Sequence, residues 1–153
     1  MRERLDRTDL QIISLLQKDG RMPSSEIAKK SGVSEATVRY RLKKLIDGKF
    51  IQIVAAGNPL KLGFGIAANI GVYTDRSQIE EIVVELKKLK RLSYIAQMTS
   101  EPTIELETFV ESIHELHQLL SRIESIPGIT KLETTFIRRI IRDRYDWGTP
   151  NVM

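Results

Sequence analysis

Between Ser34 and Lys49 the chain sets hydroxyl, guanidinium and ammonium groups at helical spacing. With Val38 at the centre of a buried face, Leu42, Leu45 and Ile46 share that face at i+4, i+7 and i+8. The opposite face then presents Ala36, Tyr40 and Lys43, flanked by Thr37, Arg39 and Lys44. Arg and Lys donate to guanine O6 and N7 or to phosphate oxygens, and Tyr and Thr hydroxyls donate to phosphates. The small Ala36 admits close approach. This is the composition of a helix laid in the major groove of double-stranded DNA. Ser24, Ser25 and Lys29 on the preceding segment, Ser34 and Glu35 at the start of the helix, and Lys49 beyond its end complete the candidate DNA-contact set.

Three residues of that helix need separate treatment. Arg41 lies on the flank of the buried face and is expected to be a strut paired with an acid of the first helix, Asp9, rather than a base reader. Glu35 also lies toward the core side, although its first-turn position leaves a base edge within reach. For Tyr40 a phosphate contact and a plain surface tyrosine are both consistent with the pattern. The bland alternative for the whole set is a three-helix bundle with a basic, solvated face.

Charge supports the sharper reading. Residues 1–63 carry a net +6 and residues 64–153 a net −2, which together make the +4 of the 153-residue chain. A basic front half on a near-neutral back half fits a polyanion-binding module joined to something else. The chain has no cysteine, which excludes disulfides and thiolate-ligated metals. No apolar run approaches the roughly 18 residues of a spanning helix, and the charged N-terminus lacks the apolar core of a signal peptide. A cytoplasmic protein with no membrane partner is expected. There is no P-loop, G-x-G-x-x-G, G-x-S-x-G or H-E-x-x-H pattern. No enzyme activity, catalytic residue or cofactor is therefore expected.

The elements that must position these residues follow from periodicity. Apolar positions predict a helix over 5–18, ended by Asp19-Gly20, a short helix over 24–30, and a third over 34–47 with Ser34 as N-cap. Ala28 is small where two helices must cross closely, and Gly32 permits the tight turn between them. The β-prone stretch 50–55 predicts a strand, and 56–63 a linker with Asn58-Pro59 turn chemistry. Strands over 64–73, 92–99, 103–110 and 129–142 alternate with helices over 77–89 and 112–124.

A shift of 34 residues lays Ile70 on Ile104, Val72 on Leu106, Ile82 on Leu116 and Leu86 on Leu120. Two βαβ units in a row predict a ferredoxin-like βαββαβ sheet with both helices on one face. The bare face is expected to be covered by a second copy of the chain. The expected class is α+β: a helix–turn–helix domain over 1–49, a strand-bearing hinge over 50–63 and the ferredoxin-like domain over 64–153.

Several of these residues coincide with a known pattern. Leu5-Asp6-x-x-Asp9-x-x-Ile12-Ile13-x-x-Leu16, Asp19-Gly20-Arg21, then Glu26-Ile27-Ala28-x-x-x-Gly32-Val33-Ser34-x-x-Thr37-Val38-x-x-Arg41-Leu42-Lys43-Lys44-Leu45 and Phe50-Ile51 resemble the Lrp/AsnC (feast/famine) family. Asn58-Pro59-x-x-Leu62-Gly63 is similar to that family's linker. The resemblance implies a transcriptional regulator with a winged helix–turn–helix and a ligand-sensing, oligomerising sheet domain. It further implies homodimers, higher even-numbered rings from tetramer to octamer, and an amino acid or related effector at the contact between dimers.

Two positions depart from the family pattern. The glycine that usually directly precedes Phe-Ile stands one place earlier, as Gly48, with Lys49 in its place. A Gly-x-x-Asp-type turn at the effector site is replaced by Thr99-Ser100-Glu101-Pro102-Thr103. An amino acid needs an acceptor for its ammonium and donors for its carboxylate. Glu101 is the candidate acceptor, Ser100 and Thr103 the candidate donors, with Thr99 in the same loop.

Weaker signals point elsewhere. His114 and His117 form an H-x-x-H, too few ligands for a metal site, and no metal is expected. Gly63-Phe64-Gly65-Ile66 resembles an RNA-recognition core but opens the first strand instead of the third and carries one aromatic. Trp147 is either an anchor in a subunit contact or part of a frayed terminus. Two alternatives to a sequence-specific regulator are a low-specificity, effector-free chromosome-organising protein and a small-molecule-sensing allosteric module of a metabolic enzyme. The latter leaves the basic helix unexplained.

Overall fold

The computed structural model describes residues 5–59, 61–141 and 149. Two compact units divide between Ala56 and Gly57. In the first, α1 (Arg7–Lys18) starts at a reciprocal cap: Asp6 accepts from the Asp9 backbone N–H, and the Asp9 side chain accepts from the Asp6 backbone N–H. That arrangement satisfies two of the amides a helix start leaves open. Helix α2 (Ser24–Ser31) ends on Gly32, at φ 71°. Its left-handed backbone turns the chain directly into α3 (Glu35–Asp47). Ile12, Ile27 and Val38 are fully buried, and Ala28 sits buried among the three helices.

Ile46 departs from expectation. Predicted on the buried face of α3, it is 41% exposed. The buried stripe ends at Leu45, because the chain turns back there and Ile51 packs against the same core. The turn is a Schellman motif: Phe50 N–H donates to Leu45 O (2.9 Å) and Lys49 N–H to Ile46 O (3.0 Å). Lys49 holds the left-handed position, φ 58°. The predicted strand over 50–55 is absent among the described residues. Phe50 and Ile51 both direct their N–H groups at Leu45 O, and no strand among the described residues is paired with the segment.

In the second unit, β1 (Ile66–Thr74), β2 (Leu92–Gln97), β3 (Ile104–Val110) and β4 (Ile129–Phe136) form one antiparallel sheet ordered β2-β3-β1-β4. Helices α4 (Ile79–Leu86) and α5 (Ile113–Glu124) are the crossovers of the two βαβ units. Ile70 pairs with Leu106 on one side and Thr134 on the other. Ile70, Val72, Ile104 and Leu106 point to the same face and pack with Ile82, Leu86, Leu119 and Ile123 of the helices. This is the ferredoxin-like arrangement the 34-residue repeat predicts.

Strand alternation turns Tyr73, Glu105, Glu107 and Glu133 to the other face. There Tyr73 Oη donates to Glu133 Oε2 (2.6 Å), and Lys131 pairs with the same carboxylate. The predicted last strand, to residue 142, stops at Phe136, with one further bond from Ile137 N–H to Ala67 O (2.8 Å). The helix predicted over 77–89 is a 3-10 turn, Arg76–Gln78, followed by the shorter α4. Trp147 lies outside the described residues.

Candidate nucleic-acid interface

The Ser34 hydroxyl caps α3, accepting from Thr37 N–H (3.1 Å) and sharing a hydrogen bond with the Thr37 hydroxyl (2.8 Å). Both hydroxyls are thus tied to the start of the helix. With Val38 and Leu45 buried, the opposite face carries Ala36, Arg39, Tyr40, Lys43 and Lys44, all exposed. Tyr40 is 72% exposed. Lys49 is exposed just past the helix end, and Ser25 and Lys29 are exposed on α2, with Ser24 half-buried.

Two of the basic groups on α3 have helical partners. Arg39 donates to Glu35 Oε1 from Nε (3.0 Å) and Nη2 (2.5 Å), and Lys43 pairs with Asp47. Such i,i+4 pairs at the surface contribute only a few tenths of a kcal/mol, so the Lys43 ammonium turns to a phosphate at little cost. The face is a preformed array of donors on a rigid helix.

Arg41 is directed away from this array. Its Nη1 lies 2.5 Å from Asp6 Oδ2 and 2.9 Å from Asp9 Oδ1. It is the strut anticipated, with a second acid that was missed. The Asp6-x-x-Asp9 spacing of a capping box is the signal that places both acids at one helix end. Asp6 is held below the usual carboxylate range by the Asp9 backbone N–H and then by the Arg41 guanidinium. Arg41 is pushed further up by hydrogen bonds to Asp6 and Asp9. A second tie was also missed: Gln11 Nε2 donates to Lys30 O (3.2 Å), joining α1 to α2.

The candidate effector loop is different in kind. Thr103 is buried, and its hydroxyl donates to Val72 O (3.0 Å) and accepts from Thr74 N–H (3.2 Å). Expected as a donor to an effector, Thr103 instead satisfies the sheet. Thr99 O accepts from Arg76 Nη2 (2.7 Å). Ser100 and Glu101 are exposed. Pro102 packs on Gly71, where an added Cβ would stand 2.9 Å from the proline Cγ.

The remaining polar groups read as structure. No cluster of three or more metal-ligating side chains occurs among the described residues. His114 shares a hydrogen bond with the Gln118 amide (2.9 Å). Glu85 pairs with Lys88, and Glu115 with Arg91. No described helix is long and apolar enough to cross a membrane.

A three-helix unit with an exposed basic third helix, joined to a ferredoxin-like sheet unit, is the architecture of a helix–turn–helix DNA-binding protein that carries a second, sheet-based unit. The chain matches the AsnC-type helix-turn-helix domain over residues 5–46 and the Lrp/AsnC ligand binding domain over residues 67–147. An uncharacterized HTH-type transcriptional regulator of Pyrococcus furiosus is 35% identical over 150 residues, spanning 97% of this chain and 99% of that protein. The HTH-type transcriptional regulator Ptr1 of Methanocaldococcus jannaschii is 32% identical over 141 residues, spanning 91% and 95%. Among solved structures, a Neisseria meningitidis transcriptional regulator in complex with L-Met superposes with a TM-score of 0.81 at 24% identity, covering 96% of this chain and 97% of that one. The chain belongs to the Lrp/AsnC family and is a transcriptional regulator of that type.

Proposed function

We propose that this regulator binds double-stranded DNA as a homodimer or a larger even-numbered assembly, from tetramer to octamer. It acts in the cytoplasm, with the two α3 helices in successive major grooves of a roughly palindromic operator. Half-sites would then lie about one helical turn, or a multiple of it, apart. The observation that carries this reading is the face of α3 opposite Val38 and Leu45, which is exposed and basic and holds the alignment of donors described above.

In this reading Arg39 reads a base edge, and Lys29, Lys43, Lys44 and Lys49 contact phosphates, making affinity salt-dependent. Ser24, Ser25, Ser34, Thr37 and Tyr40 supply backbone contacts, and Ala36 the clearance.

An amino acid or related small molecule would adjust the contact between dimers and so the spacing of the DNA-binding units. The Neisseria structure bound to L-Met supports an effector of this chemistry. Of the loop 99–103, Thr99, Ser100 and Glu101 are exposed, and Ser100 and Glu101 carry the donor and acceptor chemistry an amino acid needs. The committed hydroxyl of Thr103 favours one second reading: a regulator or chromosome-organising protein that takes no amino acid there.

The test is footprinting on the DNA upstream of the protein's own gene, against random competitor, with and without an amino-acid mixture. Turn-spaced protection that shifts with amino acids supports the full proposal. Turn-spaced protection indifferent to them removes the effector. The absence of preference over competitor moves the reading to chromosome organisation.

A further inference from the structure

We infer that Glu35 is a positioning residue for base recognition: it clamps one edge of the Arg39 guanidinium so that the other edge is presented to a guanine. The inference rests on the reading of α3 as the DNA-contacting helix and adds a specificity determinant to it.

The geometry is specific about which edge is taken. A guanidinium has five N–H donors in a fixed plane. The Nε–H and the nearer Nη2–H form its side edge, and the other Nη2–H with Nη1–H form its outer edge. Arg39 Nε and Nη2 both point at the single oxygen Oε1 of Glu35, at 3.0 and 2.5 Å. The side edge is therefore engaged and the outer edge faces away. That outer pair is the fork that matches guanine O6 and N7, two acceptors side by side. Adenine offers one acceptor and one donor there, so a fork held in this orientation rejects it.

Glu35 is suited to be the fixed member of the pair. It is the less exposed partner, 42% against 72% for Arg39. It stands in the first turn of α3, where the helix dipole favours a carboxylate. The spacing of four residues places the two side chains one above the other. Without the clamp, a long flexible arginine reaches a phosphate as readily as a base, because both accept from it. The same carboxylate repels phosphates. Its contribution is thus to discrimination, at the expense of affinity for DNA of any sequence.

The test uses the full-length protein and an operator selected from a random duplex library. Wild type, Glu35→Gln, Arg39→Ala and Arg39→Lys are titrated on that operator, on variants changed at one base pair each, and on random DNA. Circular dichroism confirms the helix content of each variant.

Arg39→Ala is expected to erase guanine preference at one position. Arg39→Lys, which keeps the charge but loses the fork, should do nearly the same. Glu35→Gln is expected to lower preference at that same position about two- to fivefold and to leave binding to random DNA equal or tighter. Unchanged preference in Glu35→Gln would overturn the inference while leaving Arg39 as a reader. Tighter operator binding with preference intact would also overturn it, making Glu35 a brake. A loss in Arg39→Ala that is equal on all DNA would remove the base-reading role of Arg39, and the inference with it.

Discussion

Arg41 Nη1 of the third helix lies 2.5 Å from Asp6 Oδ2, the carboxylate that caps the first. One acid therefore closes a helix and receives the arginine that ties α3 to α1. Asp9 completes the cage at 2.9 Å. The orientation of α3 depends on an ion pair as well as on the apolar contacts of Val38 and Leu45.

Replacing Arg41 with Met should destabilise the helix–turn–helix unit by roughly 1–2 kcal/mol, the range for hydrogen bonds to charged groups that are only partly screened. Thermal unfolding followed by circular dichroism measures this. In a double-mutant cycle with Asp6→Asn the losses should be less than additive. Strict additivity would mean the pair contributes nothing.

Acid should weaken the same unit. The folded-state pKa of Asp6 lies below its ordinary value of 3.8, so its contribution is fully present above the unfolded value. It is lost as pH falls through the folded one. Melting temperatures of wild type should therefore drop more steeply below about pH 4 than those of Asp6→Asn. Parallel curves would contradict the assignment.

The displaced glycine at the end of α3 makes a paired prediction. Lys49 occupies the left-handed region at φ 58°, which costs a side-chain-bearing residue about 1 kcal/mol. Glycine there should raise stability slightly, by about 0.5 kcal/mol after its larger unfolded-state entropy is counted. It should also reduce the salt dependence of DNA binding by about one counterion. Gly48→Ala should instead destabilise, because its Cβ would stand 2.9 Å from the Phe50 ring and 3.0 Å from Lys44 O. Reversal of either sign in chemical denaturation would contradict this account of the turn.

Thr103→Val should destabilise the sheet unit by about 1–3 kcal/mol, the cost of leaving the Thr74 N–H without its acceptor. Thr103→Ser, which keeps the hydroxyl, should cost much less. No loss in Thr103→Val, which keeps the methyl group and removes the hydroxyl, would show that the hydrogen bonds do not matter.

The helices of the first unit and the two βαβ units were legible in the sequence because local signals agreed: the cap at Ser34, the breaks at Asp19-Gly20 and Gly32, and apolar periodicity in register with them. Arg41 was separable from the candidate DNA-contact set by its angular position on the helix. Phe50–Ala55 was misread for a physical reason. β-propensity reports a surface that suits a strand but supplies no partner, and among the described residues the segment has none. The final strand was overextended in the same way, since Arg138, Arg139 and Ile140 alternate suitably but lie past the last rung. Thr103 shows the limit for binding residues, because its hydroxyl is equally suited to a ligand and to a neighbouring carbonyl. Only the fold, by bringing Val72 O and Thr74 N–H beside it, decides between them.

Recognition of a particular DNA sequence is the role proposed for the exposed face of α3. Its most direct test is an equilibrium titration of the full-length protein on a library-selected operator and on a scrambled duplex, at two or more salt concentrations. Binding to the operator should be tighter by a factor of about a thousand or more at physiological salt. Random-DNA affinity should fall steeply with salt, and Arg39→Ala should narrow the gap. Equal affinity for the two duplexes, or a gap untouched by Arg39→Ala, Lys43→Ala and Tyr40→Ala alike, would contradict it.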